Sequence, residues 1–307
     1  MSFAEQERVL FDLLFDSDLR ENFCKNATQA LAAYDLTEAE RMDFAVIRPD
    51  ALVLDALMRR NILLGHICRA YPISFAIVSS LANGKTLLKK LIDTITMRTP
   101  SLERPTVFGT RLREELTAYT FDTPAEQPLI IAILEAELAM AWTSDALKRE
   151  VLDNGKVPDE STPLADNWSH KAIKLAAYVG AAIVPRSYTE LKRSFCVVAD
   201  TELWTHLGHS PVSKALRKKA LAKEDPRLLV MRARVIHMSH CEPTVDHQTI
   251  ELSEGFAPLF QHVNGTASVD QILAQLKHAG APEQIVNGVR SGFKQLLENG
   301  MLELVAR

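Results

Sequence analysis

The pattern of apolar and polar positions changes period several times between Pro226 and Arg307. Two stretches, 228–236 and 244–252, are rich in strand-forming residues, and the first alternates polar with apolar positions in its middle, which predicts two β-strands. The alternation places three residues of the second strand on one face: Gln248, Ile250 and Leu252.

A helical period follows the two strands. Apolar residues between Leu252 and Val263 recur at helical spacing. Proline is tolerated in the first turn of a helix but not in its interior, so Pro258 sets the predicted start of this helix near Gly255. Asn264-Gly265 is predicted to end it, because these residue types favour the left-handed conformation found after helices.

Two further helices and a short strand complete the segment. Ser268 and Gln271 have the spacing of a capping box, which predicts the start of the second helix. Pro282 occupies the position of a first-turn proline in the third helix, and Asn299-Gly300 ends that helix. With a short strand over 301–305, the order is strand, strand, helix, helix, helix, strand. This order predicts a winged helix.

Upstream of this segment, apolar residues recur at helical spacing over most of the chain. Thr37 and Glu40 form another capping box, and the strongly apolar stretch 128–142 predicts a buried central helix. Residues 168–184 are predicted to be mostly helical, and 195–199 to form a strand. We therefore expect a mainly α fold with three domains: an N-terminal helical domain (1–100), a middle helical scaffold (101–224) and a C-terminal α+β winged-helix domain (225–307).

Composition and charge narrow the class of protein. The 307 residues carry a net charge of -4, and no apolar run is long enough to span a bilayer. The charged N-terminal sequence lacks the apolar core of a secretory signal. The four cysteines are widely separated, which indicates neither a disulfide scaffold nor structural zinc. These features favour a cytoplasmic protein without bulk attraction to nucleic acid or membranes.

Charge also distinguishes the common uses of a winged helix. Between Glu242 and Arg307 acidic residues outnumber basic ones, and the third helix offers only Arg290 and Lys294 as cations. A DNA-binding helix neutralises phosphates, so this composition disfavours nucleic acid. It favours peptide binding by β-augmentation, in which an extended peptide pairs with the edge of a sheet. A winged helix that only packs against its own scaffold is a third alternative.

The strand over 245–250 and the third helix are predicted to frame the peptide groove. The candidate contacts are Val245, Gln248 and Ile250 on the strand, and Val286, Arg290 and Phe293 on the helix. The apolar members of this set, Ile250 and Phe293 above all, are equally compatible with a place in the core. A proline at Gln248 is predicted to remove a strand donor and weaken peptide binding without unfolding the scaffold.

Other polar residues suggest further sites. The basic stretch 211–223, extended by Arg227, Arg232 and Arg234, is typical of a solvated helix face, or alternatively forms an electrostatic surface for an acidic partner. Its cations are Lys214, Arg217, Lys218, Lys219 and Lys223.

Metal-ligating residue types occur in two groups: His206 with His209, and His237 with His240 and Cys241, with His247 and His262 nearby. Iron sites usually add carboxylates in a compact set, and the spacing here is mixed, so no metal site is predicted. Glu135 and Glu137, two residues apart on the central helix, point to different faces and form no acid–base pair. No catalytic residue is predicted.

Several short motifs follow one another along the chain: Met58 to Ile62, Ala70-Tyr71-Pro72, Arg104-Pro105, Phe108-Gly109, Leu134-Glu135, Leu203-Trp204 and Pro226 to Arg232. With the winged helix, this order resembles the partner subunits of multinuclear-iron TIM-barrel enzymes in ribosomal-peptide natural-product biosynthesis. Methanobactin, bufferin-type and 3-thiaglutamate pathways contain such partners. The length and the additional N-terminal helices favour the 3-thiaglutamate type. The resemblance covers about residues 58–305.

The resemblance implies a heterodimer with divided roles. The C-terminal domain would act as a peptide recognition element that captures the leader of a precursor peptide, while the helical part docks on the barrel enzyme. The irons that oxidise the peptide cysteine belong to the barrel, so no cofactor is expected on this chain. The expected chemistry is a 3-thiaglutamate-type cysteine modification, with carbon excision as one outcome.

Three alternatives remain open on the sequence alone. The first is a winged-helix DNA-binding regulator, which would bind DNA in a strongly salt-dependent way. The second is a partner in thiooxazolone- or oxazolone-forming peptide modification. The third is a metalloenzyme that uses its own histidines.

Overall fold

Helices account for most of the described chain, as the sequence predicted. The computed structural model describes residues 3–95, 99–157, 164, 166–196, 213–221, 225–238 and 243–305. The helices are α1 (Phe3–Phe15), α2 (Ser17–Lys25), α3 (Ala27–Ala30), α4 (Glu38–Ala45), α5 (Pro49–Ala70), α6 (Pro72–Ser79), α7 (Gly84–Thr94), α8 (Arg104–Ala118), α9 (Glu126–Asn154), α10 (Tyr188–Cys196), α11 (Lys214–Leu221), α12 (Val269–His278) and α13 (Glu283–Glu298).

Local sequence signals set several helix boundaries. The hydroxyl of Thr37 accepts a hydrogen bond from the N–H of Glu40, whose carboxylate accepts one from the N–H of Thr37, at the start of α4. Ser268 and Gln271 form the same reciprocal pair before α12. Both predicted capping boxes are confirmed. The central helix α9 is longer than predicted, and it ends where Gly155 adopts a φ of +66°.

The helices that precede β3 enclose two cores. A small core lies among α1 to α4 and the first turn of α5, and it includes Val9, Leu13, Phe23, Leu31 and Leu52. The larger core surrounds α6, in which every residue from Ile73 to Ser79 is buried. The inner face of α9 also belongs to this core, through Ile130, Ile133 and Leu134, so the predicted burial of the central helix is confirmed.

The described strands form two antiparallel three-stranded sheets. The strands are β1 (Ala172–Leu175), β2 (Val179–Val184), β3 (Arg227–Met238), β4 (Pro243–Ser253), β5 (Asn264–Ser268) and β6 (Leu302–Leu304). One sheet has the order β5-β1-β6, and the other has the order β2-β3-β4. Both sheets therefore combine strands from the two sides of the boundary predicted after residue 224. That boundary stays a prediction.

Some local predictions differ from the structure. Residues 168–184 were predicted to be mostly helical, but they contain a short 3-10 helix followed by β1 and β2. These strands are stabilised by pairing with β3, β5 and β6, which lie far along the chain, and local periodicity carries no information about such partners. Phe195 belongs to α10 and not to a strand, and 197–199 lie outside the described residues.

The first helix predicted in the C-terminal segment also differs. It is the 3-10 helix Glu254–His262, with Pro258 inside it. The tighter helix relies on different hydrogen bonds and is used in short pieces, which accommodates the proline. Asn264-Gly265, predicted as the helix end, begins β5. The closing strand predicted over 301–305 is confirmed as β6.

Strand β3 is buried on both faces. Leu229 and Met231 belong to the larger helical core, whereas Leu228 and Val230 belong to a C-terminal core that also contains residues of α12 and α13. A strand covered on both faces has no polar side, which explains the unbroken apolar run at 228–231. The sheet thus joins two cores, with β4 at its edge.

Within the described ranges, no single helix has both the length and the apolar content that crossing a membrane requires. Helices α5 and α6 meet that test only when taken together, across a bend of 114°.

Candidate functional site: a groove along strand β4

A groove of about 590 Å³ runs along strand β4. Successive residues of the strand line it, from Pro243 to His247 and again at Thr249. Because successive side chains point to opposite faces of a sheet, such a run indicates that the backbone edge itself borders the groove. Further walls come from the α5–α6 junction, the start of α8, the middle of α9 and the first turns of α10. Among the described strands β4 pairs only with β3, so this edge is available to an added strand.

Along β4, the backbone N–H and C=O groups of successive residues point alternately toward β3 and toward the groove. On β3, the N–H of Ala233 donates to the carbonyl of Tyr178 at 3.0 Å, on the side away from β4. Neighbouring residues of a strand direct their N–H and C=O groups to opposite edges. The backbone groups of Arg232 therefore point toward β4, and those of its cross-strand partner Gln248 point toward β3, so the two residues form a hydrogen-bonded pair.

It follows that Val245, His247 and Thr249 direct their backbone groups away from β3, into the groove. The N–H of His247 donates to the carboxylate of Asp246 at 2.8 Å, as an outward-facing group is free to do. A proline at Gln248 would instead break the internal ladder, which corrects the effect predicted for it from the sequence. Thr249 is a position at which proline removes an outward-facing donor.

Glu251 fixes α10 beside this edge. Its carboxylate accepts hydrogen bonds from the N–H of Thr189, at 2.9 Å, and from the hydroxyl of the same residue, at 2.8 Å. Thr189 lies in the first turn of α10, where N–H groups lack helical partners and a negative charge is favourable. As a result, Tyr188, Thr189 and Lys192 lie along one wall of the groove.

The His247 ring fixes β4 against α9. Its Nε2 lies 3.1 Å from the hydroxyl of Thr143 and 3.4 Å from that of Ser144. Burial, with a smaller contribution from the charge of Lys192, lowers the pKa of His247 to about 4. The ring is therefore uncharged at neutral pH and acts as a hydrogen-bonding group.

Glu137 connects three helices beside the groove. Its carboxylate accepts hydrogen bonds from the N–H groups of Ile73, at 2.8 Å, and Ser74, at 2.9 Å, while the hydroxyl of Tyr188 donates at 3.2 Å. Burial raises the pKa of this carboxyl to about 7, although the hydrogen bonds oppose the shift. Glu135 is exposed, so the prediction that the two carboxylates occupy different faces is confirmed.

The predicted contacts on the strand lie on different faces of the sheet. Val245 lines the groove and packs toward α9. Gln248 points to the opposite face, where its amide donates to the side-chain oxygen of Asn299 at 2.6 Å. Ile250 and Leu252 pack in the C-terminal core on that same face. The shared face predicted for Gln248, Ile250 and Leu252 is thus confirmed.

The third helix requires a correction. Val286 and Phe293 on α13 are buried in the C-terminal core, as is Ile250. These three residues were predicted to contact the peptide, with the core as the alternative, and the structure places them in the core. Arg290 is exposed and pairs with Asp270 at 2.7 Å. The apolar stripe of α13 therefore faces the core, and the groove at the β4 edge is framed by α9 and α10. The sequence did not predict these walls, because the local sequences of α9 and α10 contain no information about which strand edge the helices lie beside.

The basic stretch 211–223 is not a uniform solvated face. Arg217 on α11 is 2% exposed, and its Nε donates to the carboxylate of Glu126 at 3.1 Å. Its Nη1 donates to the carbonyl and the hydroxyl of Ser80, both at 2.9 Å. Arg217 therefore fixes α11 to the helical core, which corrects its assignment to a surface. Lys223 lies outside the described residues.

Most candidate metal ligands lie outside the described residues: His206, His209, His240 and Cys241. His237 is exposed toward the end of β3. Within the described ranges, no group of three His, Cys, Asp or Glu side chains is arranged to hold a metal ion. The location of iron on a partner enzyme stays a prediction.

Comparison of the chain with protein-family models, with curated proteins and with solved structures found no match. The resemblance to partner subunits of iron enzymes therefore stays a prediction.

Proposed function

We propose that this protein binds an extended peptide as an additional strand along β4. The observation that carries the proposal is the set of outward-facing backbone groups at Val245, His247 and Thr249, which border the groove. In such complexes the backbone pairing supplies affinity, and pockets for alternate side chains supply specificity. The groove volume of about 590 Å³ is within the range of ligand sites in proteins.

The peptide in this proposal is the leader of a ribosomally made precursor. The chain is the non-catalytic subunit of a heterodimer and presents the precursor's cysteine to a multinuclear-iron enzyme, which holds the iron. The order of short motifs along the sequence supports this role. The C-terminal strands and helices, β3 to β6 with α12 and α13, are the proposed winged-helix peptide recognition element.

Several of these motifs also pack against one another. The hydroxyl of Tyr71 donates to the carbonyl of Pro105 at 2.7 Å, and the Tyr71 ring centre lies 5.6 Å from that of Phe108. A Cβ at Gly109 would lie 2.1 Å from the Tyr71 hydroxyl, so the site requires glycine. Motifs that are separate in sequence thus contact one another where the α5–α6 corner packs against α8. This packing gives a physical reason for their occurrence together.

An exposed apolar stripe on α5 is the proposed docking surface for the enzyme subunit. Leu54, Met58 and Ile62 are spaced by four residues and are 60%, 56% and 71% exposed. Apolar side chains grouped in this way on a surface are typical of protein–protein interfaces. The stripe lies on a different element from β4, so the enzyme and the peptide would occupy separate surfaces.

DNA binding is the less favoured alternative. Both cations of α13 are engaged by carboxylates: Arg290 by Asp270 at 2.7 Å, and Lys294 by Glu298 at 3.6 Å. Phosphate contacts would have to compete with these ion pairs.

The test is a pull-down of the tagged full chain from its native host, with mass spectrometry and iron analysis of the co-eluting material. Thr249→Pro removes an outward-facing N–H and should release the peptide while keeping the enzyme subunit. Thr249→Val keeps the N–H and should retain both. Met58→Glu should release the enzyme and its iron while keeping the peptide. Peptide retention by Thr249→Pro would contradict binding at β4, and wild-type protein that elutes without an iron enzyme would contradict the partner role.

A further inference from the structure

The groove along β4 has a charge pattern that indicates which peptides it binds. Three cations reach the groove from three different helices: Arg69 at the end of α5, Lys148 on α9 and Lys192 on α10. We propose that the groove binds an acidic peptide segment, whose carboxylates contact these cations. The inference rests on the proposed function and adds the chemical class of the peptide.

The carboxylates that line the groove are already engaged within the protein. Asp145 is buried and accepts a hydrogen bond from Arg149 at 3.0 Å. Asp246 accepts the N–H of His247 at 2.8 Å. Neither carboxylate lies against Arg69 or Lys192 as an ion-pair partner, so neither cancels their charge directly.

Two of the three cations, Arg69 and Lys192, are available to a ligand. Arg69 and Lys192 are exposed, and neither forms an ion pair within the part of the chain that the structure describes. An approaching carboxylate therefore gains an interaction without breaking an existing one. Cations spread over several walls of a concave site also attract acidic ligands during encounter, an effect that salt weakens.

The apolar part of the groove limits the pattern of acidic residues. Met140 and Ala141 of α9 line it together with Pro72. In an added strand, alternate side chains point to the same side, about 6.6–6.8 Å apart. A matching peptide therefore intersperses acidic with apolar or small residues, because a continuous acidic run would place carboxylates against Met140 and Ala141.

The experiment selects peptides from a phage-displayed library of random twelve-residue sequences on the immobilised full chain. Parallel selections use the double variant Arg69→Glu with Lys192→Glu, which reverses two groove charges. The control is Arg193→Glu with Lys219→Glu, which changes the net charge equally at two exposed positions outside the groove lining. Selected peptides are then measured by fluorescence anisotropy on all proteins and on Thr249→Pro and Thr249→Val.

We expect Asp and Glu, interspersed with apolar or small residues, to be enriched in peptides selected on the wild type and on the control pair, and not on the groove variant. A selected acidic peptide should bind the groove variant about tenfold more weakly, since each partly exposed ion pair contributes modestly. Peptides that lack an acidic preference but lose binding on Thr249→Pro would overturn this inference and leave the proposed function standing. If no selected peptide distinguishes Thr249→Pro from Thr249→Val, both the inference and the proposed edge binding are overturned.

Discussion

The carboxylate of Asp246 accepts a hydrogen bond from the backbone N–H of His247, which β4 directs into the groove. Exposed edge strands tend to pair with other chains, and a charged side chain at the edge opposes that pairing. Asp246 therefore covers one of the donors that an added strand would use. A peptide that binds along β4 has to replace this bond.

Removing that carboxylate should leave the His247 amide unprotected. A net hydrogen bond contributes about 1 kcal/mol, so Asp246→Ala should speed hydrogen exchange at His247 about fivefold. Exchange is measured residue by residue by NMR. The amide of Gln248, which faces β3 in the ladder, should exchange at its wild-type rate. Unchanged exchange at His247 would count against the bond.

Glu137→Gln should destabilise the protein. The two N–H groups donate to different oxygens of the Glu137 carboxyl, and the hydroxyl oxygen of its protonated form still has a lone pair to accept with. In glutamine the amide oxygen accepts, but the amide nitrogen cannot, so Ile73 or Ser74 loses its acceptor. A buried donor without a partner costs about 1–3 kcal/mol in the free energy of unfolding, which chemical denaturation at pH 5 would measure. Glu135→Gln, on the exposed face of the same helix, should change it by less than about 0.5 kcal/mol.

The difference in stability between the wild type and Glu137→Gln should also depend on pH. The pKa of Glu137 is raised from 4.5 to about 7, so the folded protein holds this proton more tightly than the unfolded chain does. The resulting stabilisation is fully present below pH 4.5 and is lost as the pH rises through about 7. The stability of the wild type relative to Glu137→Gln should therefore decline across that window. A constant difference would show that the pKa is not raised.

Arg217 and Glu126 form a buried ion pair, and removing one member leaves the other without compensation. Arg217→Met should lower the free energy of unfolding by about 3–5 kcal/mol. The double variant Arg217→Met with Glu126→Leu should recover a large part of that loss, since it leaves no buried charge. Lys218→Met, at the next and exposed position of α11, serves as the control. Additive effects of the two substitutions would argue against the pair.

Two glycines of α13 should respond to alanine in opposite ways. A Cβ at Gly292 would lie 2.5 Å from the Phe256 ring, which packs edge-on against Phe293, so Gly292→Ala should destabilise by about 1–3 kcal/mol. Gly288 is exposed, with no atom within 4 Å of an added Cβ, and alanine there should stabilise the helix by about 0.5–1 kcal/mol. Thermal unfolding of the two variants tests the contrast, and the same sign for both would refute it.

Features that depend on neighbours in sequence were predictable. The capping pairs Thr37 with Glu40, and Ser268 with Gln271, depend only on two side chains three positions apart in the sequence. The mainly helical class follows from periodicity in the same way. Strands β1 and β2 were missed because their stability comes from partners beyond residue 225, which no local pattern reports.

The candidate site was predictable only in part. Alternation along β4 correctly grouped Gln248 with Ile250, but alternation does not say which layer covers each face. The C-terminal core covers that face, and α9 covers the other. Val286 and Phe293 were predicted to contact the peptide, with the core as their alternative, and they pack in the C-terminal core. The direction of each backbone N–H follows only from the register of three strands. This direction identifies Thr249, and not Gln248, as the position where proline removes a donor that faces the groove.

Because Leu228 and Leu229 on β3 belong to different cores, the two halves of the chain are constrained to evolve together. Recombination that replaced the C-terminal half would bring in a strand whose opposite face had never been matched to the helical core. If the groove binds a peptide as proposed, changes of peptide preference are expected to accumulate as single substitutions around it, at positions such as Arg69 and Lys192, while β3 itself is inherited as a unit.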